Sequence, residues 1–303
     1  MSAPPEPQST RTLRQRVVFV ARAGVIAAIL LALIVPTALG AGFVAVLTAP
    51  VCGGETVPPM PYESVNFSSS EFGREPPAYF IAAEQPNAES AGATVIVVPT
   101  GNAGRGDRMA EIGVYHEAGF AVLSYSARAC VGGAANSLGY KEAAQVGDAL
   151  AYLVTRSDVD MNRIGIHGFS AGGATAILAA AQFSAIRAVV AEGGYHDFSA
   201  EVEQNTPTTL WFAPLFRFGA RLSYRVTTGD DMSVLSPIRA IGRIAPRPIL
   251  LIYGTNEPGL AGARLQQAAA GSSAELWEVA GAGHGNYLDI AGDEYTEKRS
   301  SSL

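Results

Sequence analysis

Between residues 94 and 279, short apolar runs alternate with segments of helical spacing, and this alternation narrows the fold more than any other feature. The runs Thr94–Pro99, Ala121–Tyr125, Arg163–Gly168, Ala188–Ala191 and Pro248–Tyr253 are continuously apolar, as strands buried on both faces require. Ala274–Val279 is a sixth, less continuous strand. Residues 107–118, 141–156, 171–183 and 260–270 carry apolar positions at helical spacing. Strands alternating with helices predict an α/β domain: a mostly parallel sheet flanked by helices. Ser64–Ser68 and Tyr79–Ala83 would lead into it as antiparallel strands, and no internal repeat is visible.

One segment, Tyr195 to Arg247, breaks the alternation. Within it Trp211, Leu215, Phe218, Leu222 and Val226 fall on one helix face, while Arg217, Arg221 and Arg225 recur every four residues on another. An insertion between two strands of a parallel sheet predicts a small helical cap, about 197–240, over the C-terminal sheet edge where ligands bind. Trp211, Phe212, Phe216 and Phe218 would either meet an apolar acyl or aryl group or cement the cap to the core. The arginines read better as a solvated face than as an anion site.

Charge divides the chain. Its first 54 residues carry a net charge of +3 and the remainder −9. An acidic body argues against a nucleic-acid partner, which needs a basic footprint. Residues 1–10 are polar and Pro-rich, part of a basic tail over 1–22. The apolar stretch 23–48 exceeds the roughly 20 residues a bilayer span needs and the ~7–15 of a signal core. It predicts one N-terminal transmembrane helix. Arginines before it place the N-terminus in the cytoplasm and the rest extracytoplasmic. Secretion after cleavage near Ala38-Leu39-Gly40 is the competing reading. Residues 49–62 read as a Pro/Gly linker, 63–297 as the α/β domain and 298–303 as a polar tail. Val51 makes Cys52 a poor lipidation site. Cys52 and Cys130 are too few for a disulfide scaffold and lack zinc-site spacing. In an oxidising compartment they would either pair, pinning the linker beside Ala121–Tyr125, or remain as two thiols.

The strongest chemical signal is Gly168-Phe169-Ser170-Ala171-Gly172-Gly173, a G-x-S-x-G turn between a strand and a helix. Such a strained turn lifts a serine hydroxyl clear of the sheet, and the helix N-terminus offers free N–H groups to developing negative charge. Ser170 is the candidate nucleophile. Of four histidines, His116 lies on the wrong side of the first crossover, and His167 points into the packing layers. His196 precedes the last two strands. His284, in Gly281-Ala282-Gly283-His284-Gly285 after the last strand, faces the serine's turn and is the candidate base. The acid should lie between them in the chain. Glu257, in Gly254-Thr255-Asn256-Glu257-Pro258, fits that place, with Glu192 and Asp197 in reserve. Oxyanion donors would be the backbone N–H of Ala171 and, from Thr100-Gly101-Asn102-Ala103-Gly104-Arg105-Gly106, that of Asn102. This loop lacks the Gly-Lys-Ser/Thr ending of a phosphate loop.

Together GFSAGG, TGNAGRGDR, SPIRAIGRIAPRPILLIYGTNE and GAGHGNY resemble the α/β-hydrolase superfamily, in particular its BEM46-like and dienelactone-hydrolase-like serine hydrolases, over about Ser64 to Ile290. Thr100 stands where those proteins commonly carry histidine. With 19 residues after His284, the last helix should be short. The resemblance implies an α/β-hydrolase fold, a Ser170–His284–Glu257 triad and an oxyanion hole from Asn102 and Ala171, with no cofactor or metal. It implies a hydrolase that cleaves a small-molecule ester through an acyl-enzyme, here joined to the membrane anchor read from residues 23–48. A peptidase or thioesterase would use the same residues. A non-catalytic membrane-tethered binding module on this scaffold is the alternative.

Overall fold

The alternation of apolar runs becomes one eight-stranded sheet: β1 (Glu63–Asn66), β2 (Pro77–Ile81), β3 (Thr94–Val98), β4 (Ala121–Tyr125), β5 (Ile164–Phe169), β6 (Ile186–Glu192), β7 (Ile249–Gly254) and β8 (Ala274–Val279). The computed structural model describes residues 13–302, apart from 51, 54, 55, 72, 74, 85, 87–89, 102, 207 and 208. The expected polar tail at 1–10 therefore lies outside the described residues. The sheet order is β1-β2-β4-β3-β5-β6-β7-β8. β1, β2 and β4 pair antiparallel, and every other pairing is parallel. The protein has the α/β-hydrolase fold.

Strand periodicity explains the layering. In β3, Ile96 and Val98 face one layer while Val95 and Val97 face the other. In β7, Ile249, Leu251 and Tyr253 alternate in the same way with Leu250 and Ile252. One layer holds α4 (Tyr140–Leu153), α5 (Ala171–Gln182), α8 (Pro237–Ile241) and α9 (Leu260–Ala270). The other holds α2 (Met109–Glu117) and α10 (Tyr287–Ser301), and the short α3 (Arg128–Gly132) lies in the chain between β4 and α4. Both faces are thus covered, which is why the central strands are continuously apolar.

The last helix is not short. α10 runs to Ser301, broken at Gly292 (φ 50°), and residues 298–301, expected in a polar tail, form its last turn. Arg299 is fully buried there. It reaches Tyr295 Oη (2.9 Å), Tyr115 Oη (3.2 Å) and Glu192 Oε1 (3.4 Å), so its charge is met inside the core.

The insertion forms α6 (Phe198–Asn205), α7 (Ala213–Thr228) and α8. α7 forms, but the apolar face expected from the sequence is not the one that packs: Phe218, Leu222 and Val226 are exposed. The face of Phe216, Gly219, Ala220 and Tyr224 is buried instead, with Phe216 and Gly219 against the C-terminal half of α1 (Leu13–Thr48). Pro36, Gly40, Val44 and Thr48 recur every four residues and are buried against the cap. A Cβ on Gly40 would lie 1.9 Å from the Phe216 carbonyl oxygen, and one on Gly219 2.0 Å from that of Thr37. The two backbones touch because both positions lack side chains. Phe216 also meets the Phe43 ring (6.0 Å), whereas Trp211 and Phe218 stay exposed. Arg217 is drawn in, donating to the Glu203 and Thr206 carbonyls.

Cys52 and Cys130 form a disulfide across 78 residues of chain. The segment read as a linker is thereby stitched to the domain: Gly104 N–H donates to the Gly53 carbonyl (2.5 Å) and Asn136 N–H to that of Thr48 (3.0 Å).

Candidate active site

Ser170 occupies the junction of β5 and α5 with φ 55° and ψ −124°. A non-glycine residue at positive φ costs about 1–3 kcal/mol and persists only where its surroundings hold it. Here its N–H donates to the Glu192 carbonyl (2.7 Å), and its carbonyl accepts from Gly173 N–H (3.0 Å) and Ala174 N–H (3.3 Å). The flanking glycines follow from clearance. A Cβ on Gly168 would sit 2.0 Å from the Gly172 carbonyl oxygen, and one on Gly173 2.9 Å from that of Glu192. Ala171 opens α5, so its N–H is one of the first-turn donors without an intrahelical acceptor.

His284 lies in the loop between β8 and α10. Its Nε2 is 3.2 Å from Ser170 Oγ and its Nδ1 is 2.6 Å from Glu257 Oε1. Glu257 follows β7 and is 7 % exposed. Its second oxygen accepts from Gly254 N–H (3.0 Å) and Tyr287 Oη–H (2.7 Å). Burial, then the Glu257 charge, pushes the Tyr287 hydroxyl far above its ordinary pKa, so it remains a donor. An ionised Glu257 fixes the proton on Nδ1 and leaves Nε2 free to accept from the serine hydroxyl. The three residues singled out in the sequence thus converge from three separate loops at one sheet edge.

The reserve acids are placed elsewhere. Asp197 caps α6, accepting from Ala200 N–H (3.1 Å), and pairs with Arg239. Glu192 points beneath the turn, into a buried cluster with His167, Tyr295 and Arg299. Burial opposes its charge, yet Arg299 and His167 hold its carboxyl down to about 2. His167 is within 3.3 Å of Glu192 Oε1 but not aligned for a hydrogen bond; burial, then Arg299, lowers it to about 4. His196 pairs with Glu201 (3.3 Å) and His116 approaches Glu84 (3.4 Å). Asn102 lies outside the described residues. Among the described residues, no group of three or more His, Cys, Asp or Glu could hold a metal ion.

Three contributors escape sequence reasoning. Tyr287 orients Glu257, as above. Phe169 lays its ring beside the His284 imidazole (centroids 4.7 Å apart) and carries the Arg108 guanidinium, 4.4 Å from its centroid. Gly193, at φ +57°, lies under the acid–base pair: a Cβ there would be 2.6 Å from Tyr287 Oη, 2.8 Å from Glu257 Oε1 and 2.9 Å from His284 Cε1. Gly193-Gly194 directly after a strand was the one visible sign of such a close approach.

Residues 133–287, just over half the chain, match the prolyl oligopeptidase family. No curated protein matches the sequence significantly. Among solved structures, the chain is similar to the Pyrococcus furiosus esterase Pf2001 (18% identity, TM-score 0.66), over 84% of this chain and 98% of that one. It is similar to the α/β hydrolase GrgF from Penicillium sp. sh18 (15%, TM-score 0.60), over 80% and 97%. A Mycobacterium tuberculosis puromycin-hydrolyzing peptidase (20%, TM-score 0.61) matches over 79% of this chain and 39% of its own. At these identities the likeness is one of fold; the match across the serine turn, the acid loop and the histidine loop carries the assignment. The chain belongs to the prolyl oligopeptidase family and is a serine hydrolase of the α/β-hydrolase fold.

Proposed function

We propose that the protein is a membrane-anchored esterase in which Ser170, His284 and Glu257 are catalytic. The observation that carries this reading is the 3.2 Å and 2.6 Å relay from Ser170 Oγ through His284 to a buried, doubly hydrogen-bonded Glu257. Ser170 Oγ attacks the ester carbonyl while His284 Nε2 takes its proton. The oxyanion is held by the N–H groups of Ala171 and Asn102, each worth roughly 3–4 kcal/mol in the transition state. His284 then protonates the leaving alcohol. Water activated by the same imidazole releases the acid and regenerates the serine. Glu257 stabilises the transient imidazolium. A fluorophosphonate probe should label the protein at Ser170 and block turnover of p-nitrophenyl esters. An intact chain that is not labelled, or a Ser170→Ala variant that still is, refutes the reading.

The family match favours a second activity, amide cleavage by the same residues. Comparing p-nitrophenyl esters with peptidyl p-nitroanilides separates the two: an esterase turns over the first class only.

The anchor reading is supported by α1, whose apolar stretch is long enough to span a bilayer and unburied over its most apolar window. Arg14, Arg16 and Arg22 near its start favour a cytoplasmic N-terminus, and a disulfide suits an extracytoplasmic domain. Retention is supported by the packing of 36–48 on α7, because cleavage near Ala38–Gly40 would cut through that contact. Protease digestion of intact vesicles should remove the hydrolase domain if it lies outside.

A further inference from the structure

The glycine contacts that join α1 to α7 also fix their relative direction. Gly40 lies against Phe216 and Thr37 against Gly219, so numbering rises along one helix as it falls along the other. The C-terminal end of α7 therefore points toward the N-terminal half of α1, where residues 14–31 are exposed on every side. Because the cap claims Pro36, Gly40, Val44 and Thr48, the anchor reading leaves the bilayer to the helix before them. From Val17 to Val35 that helix is about 28 Å long, close to the roughly 30 Å of a hydrocarbon core, with Arg22 snorkelling toward the headgroups. The last turn of α7, with Arg225 and Val226 (76 % exposed), is then the edge of the cap that meets the bilayer surface.

A cavity of about 300 Å³ opens beside this edge. Two short links of chain place it there. Ser233 and Val234 belong to the 3-10 turn Met232–Val234 that follows α7, and Tyr140 precedes Lys141, whose Nζ donates to the Thr228 carbonyl (2.6 Å). The polar lining is Tyr140, Gln182, Ser233, Ser236, Arg239 and Arg243, and no lining residue is acidic. Arg239 is braced along one edge: its Nε–H donates to Ser236 Oγ (2.8 Å) and its Nη2–H to the Ser233 carbonyl (2.7 Å), with Asp197 Oδ2 at 3.4 Å. Among the described residues, Arg239 Nη1 and the whole Arg243 guanidinium have no partner. Two cations four residues apart repel each other unless an anion lies between them. The other acids of this end are engaged, Asp230 with Lys141 (3.2 Å) and Asp231 with the Ser233 N–H (2.9 Å).

We infer that this cavity binds the phosphate of an anionic lipid headgroup. The inference rests on the anchor reading above, which sets the bilayer on the N-terminal side of Pro36. Guanidinium forks match phosphate oxygens two at a time, and an anionic lipid lacks the ammonium that neutralises a zwitterionic one. Tyr140, 39 % exposed, is the amphipathic kind of ring that collects at membrane interfaces. A single helix leaves the domain free to tilt; a headgroup held here opposes that.

Thermal unfolding of the full-length chain in nonionic micelles tests the site. Dihexanoyl phosphatidylglycerol should raise Tm by about 2–4 °C, and its phosphatidylcholine counterpart and inorganic phosphate far less. Arg243→Gln removes a side chain without partners, so it should abolish the gain and leave p-nitrophenyl ester turnover unchanged. Arg239→Gln should do the same, but its loop contacts put folding at risk, so the Arg243 variant decides. An equal gain from the choline lipid, or a full gain in Arg243→Gln, overturns the inference. An equal gain from inorganic phosphate marks a free-phosphate site and overturns the lipid assignment. Placement is read from nitroxides on Val226→Cys and Trp211→Cys in vesicles. The first should be shielded from a water-soluble nickel chelate and the second open to it; equal access overturns the placement. A chain that does not float with vesicles would instead refute the underlying anchor reading.

Discussion

Replacing Gly193 with alanine adds one methyl group beneath the acid–base pair. The new Cβ would lie 2.6 Å from Tyr287 Oη, 2.8 Å from Glu257 Oε1 and 2.9 Å from His284 Cε1. Comfortable heavy-atom separations are about 3.5 Å, so these groups must retreat by roughly half an ångström or more. A displacement of about 1 Å at reacting groups costs ~100-fold, so kcat/KM should fall by about 10- to 100-fold. That loss equals ~1.4–2.7 kcal/mol of transition-state stabilisation. The backbone contributes separately, since positive φ costs a Cβ-bearing residue about 1–2 kcal/mol. Gly281 provides the control. Its φ is +79°, but a Cβ there meets nothing within 4 Å, so Gly281→Ala incurs the strain without the clash. Each variant should therefore lose roughly 2–8 °C in Tm. Only Gly193→Ala should lose activity, measured as kcat/KM on a short p-nitrophenyl ester. Wild-type kcat/KM in Gly193→Ala, or an equal loss in Gly281→Ala, would refute the assignment of Gly193 as the floor of the site.

Tyr287→Phe removes one charge-assisted hydrogen bond to Glu257, worth about 1.5–3 kcal/mol. Steady-state kinetics should show kcat lowered roughly 10- to 100-fold with KM nearly unchanged; a pure KM effect contradicts an orienting role. Arg299→Met leaves the Glu192 carboxylate buried without its cation and should destabilise by about 3–5 kcal/mol. Adding Glu192→Gln should recover much of that loss in urea titrations followed by Trp277, whose ring lies 6.2 Å from Tyr295. Additive losses would mean the two residues are not coupled. Stability should also decline in acid. His167 is lowered from 6.5 to about 4, so between those values the unfolded chain binds the extra proton. Its contribution, on the order of 3 kcal/mol, is complete above pH 6.5 and lost by about pH 4. Glu192, lowered from 4.5 to about 2, has its contribution in place above pH 4.5 and loses it as pH falls toward 2. A His167→Leu variant should flatten the slope between pH 6.5 and 4; an unchanged slope there refutes the linkage.

What the residues disclosed in advance were the features with short-range signatures. Continuous apolar runs marked β3 to β7 because burial on both faces leaves no alternation to misread. Ser170, Glu257 and His284, which the structure brings within hydrogen-bond reach of one another, each sit in a Gly-rich turn at a strand end, in the chain order expected for this fold. Tyr287 carries no such signature, since its role arises from a contact across 30 residues of chain, and the Gly193-Gly194 pair after β6 signals a close approach without telling which groups make it. Arg299 misled for the same reason. A basic residue in EKRSSSL looks solvated until Glu192, over a hundred residues earlier, is found beside it. The partnership of α1 with α7 was hidden too, because a helix apolar on every face gives no periodicity to show which side meets protein.

That partnership changes how the catalytic domain is carried. A free Gly/Pro-rich segment the length of residues 49–62 would behave as a leash with a root-mean-square reach of about 20 Å, letting the domain tumble above whatever surface held it. Here the C-terminal half of α1 packs directly on α7 of the cap, and the disulfide ties down the chain that follows. The hydrolase is mounted as on a mast. With α1 as a bilayer anchor, the mouth of the site keeps one height and one bearing relative to the membrane. On the proposed reading as an anchored esterase, a domain held this way would meet the ester bonds that lie at that height.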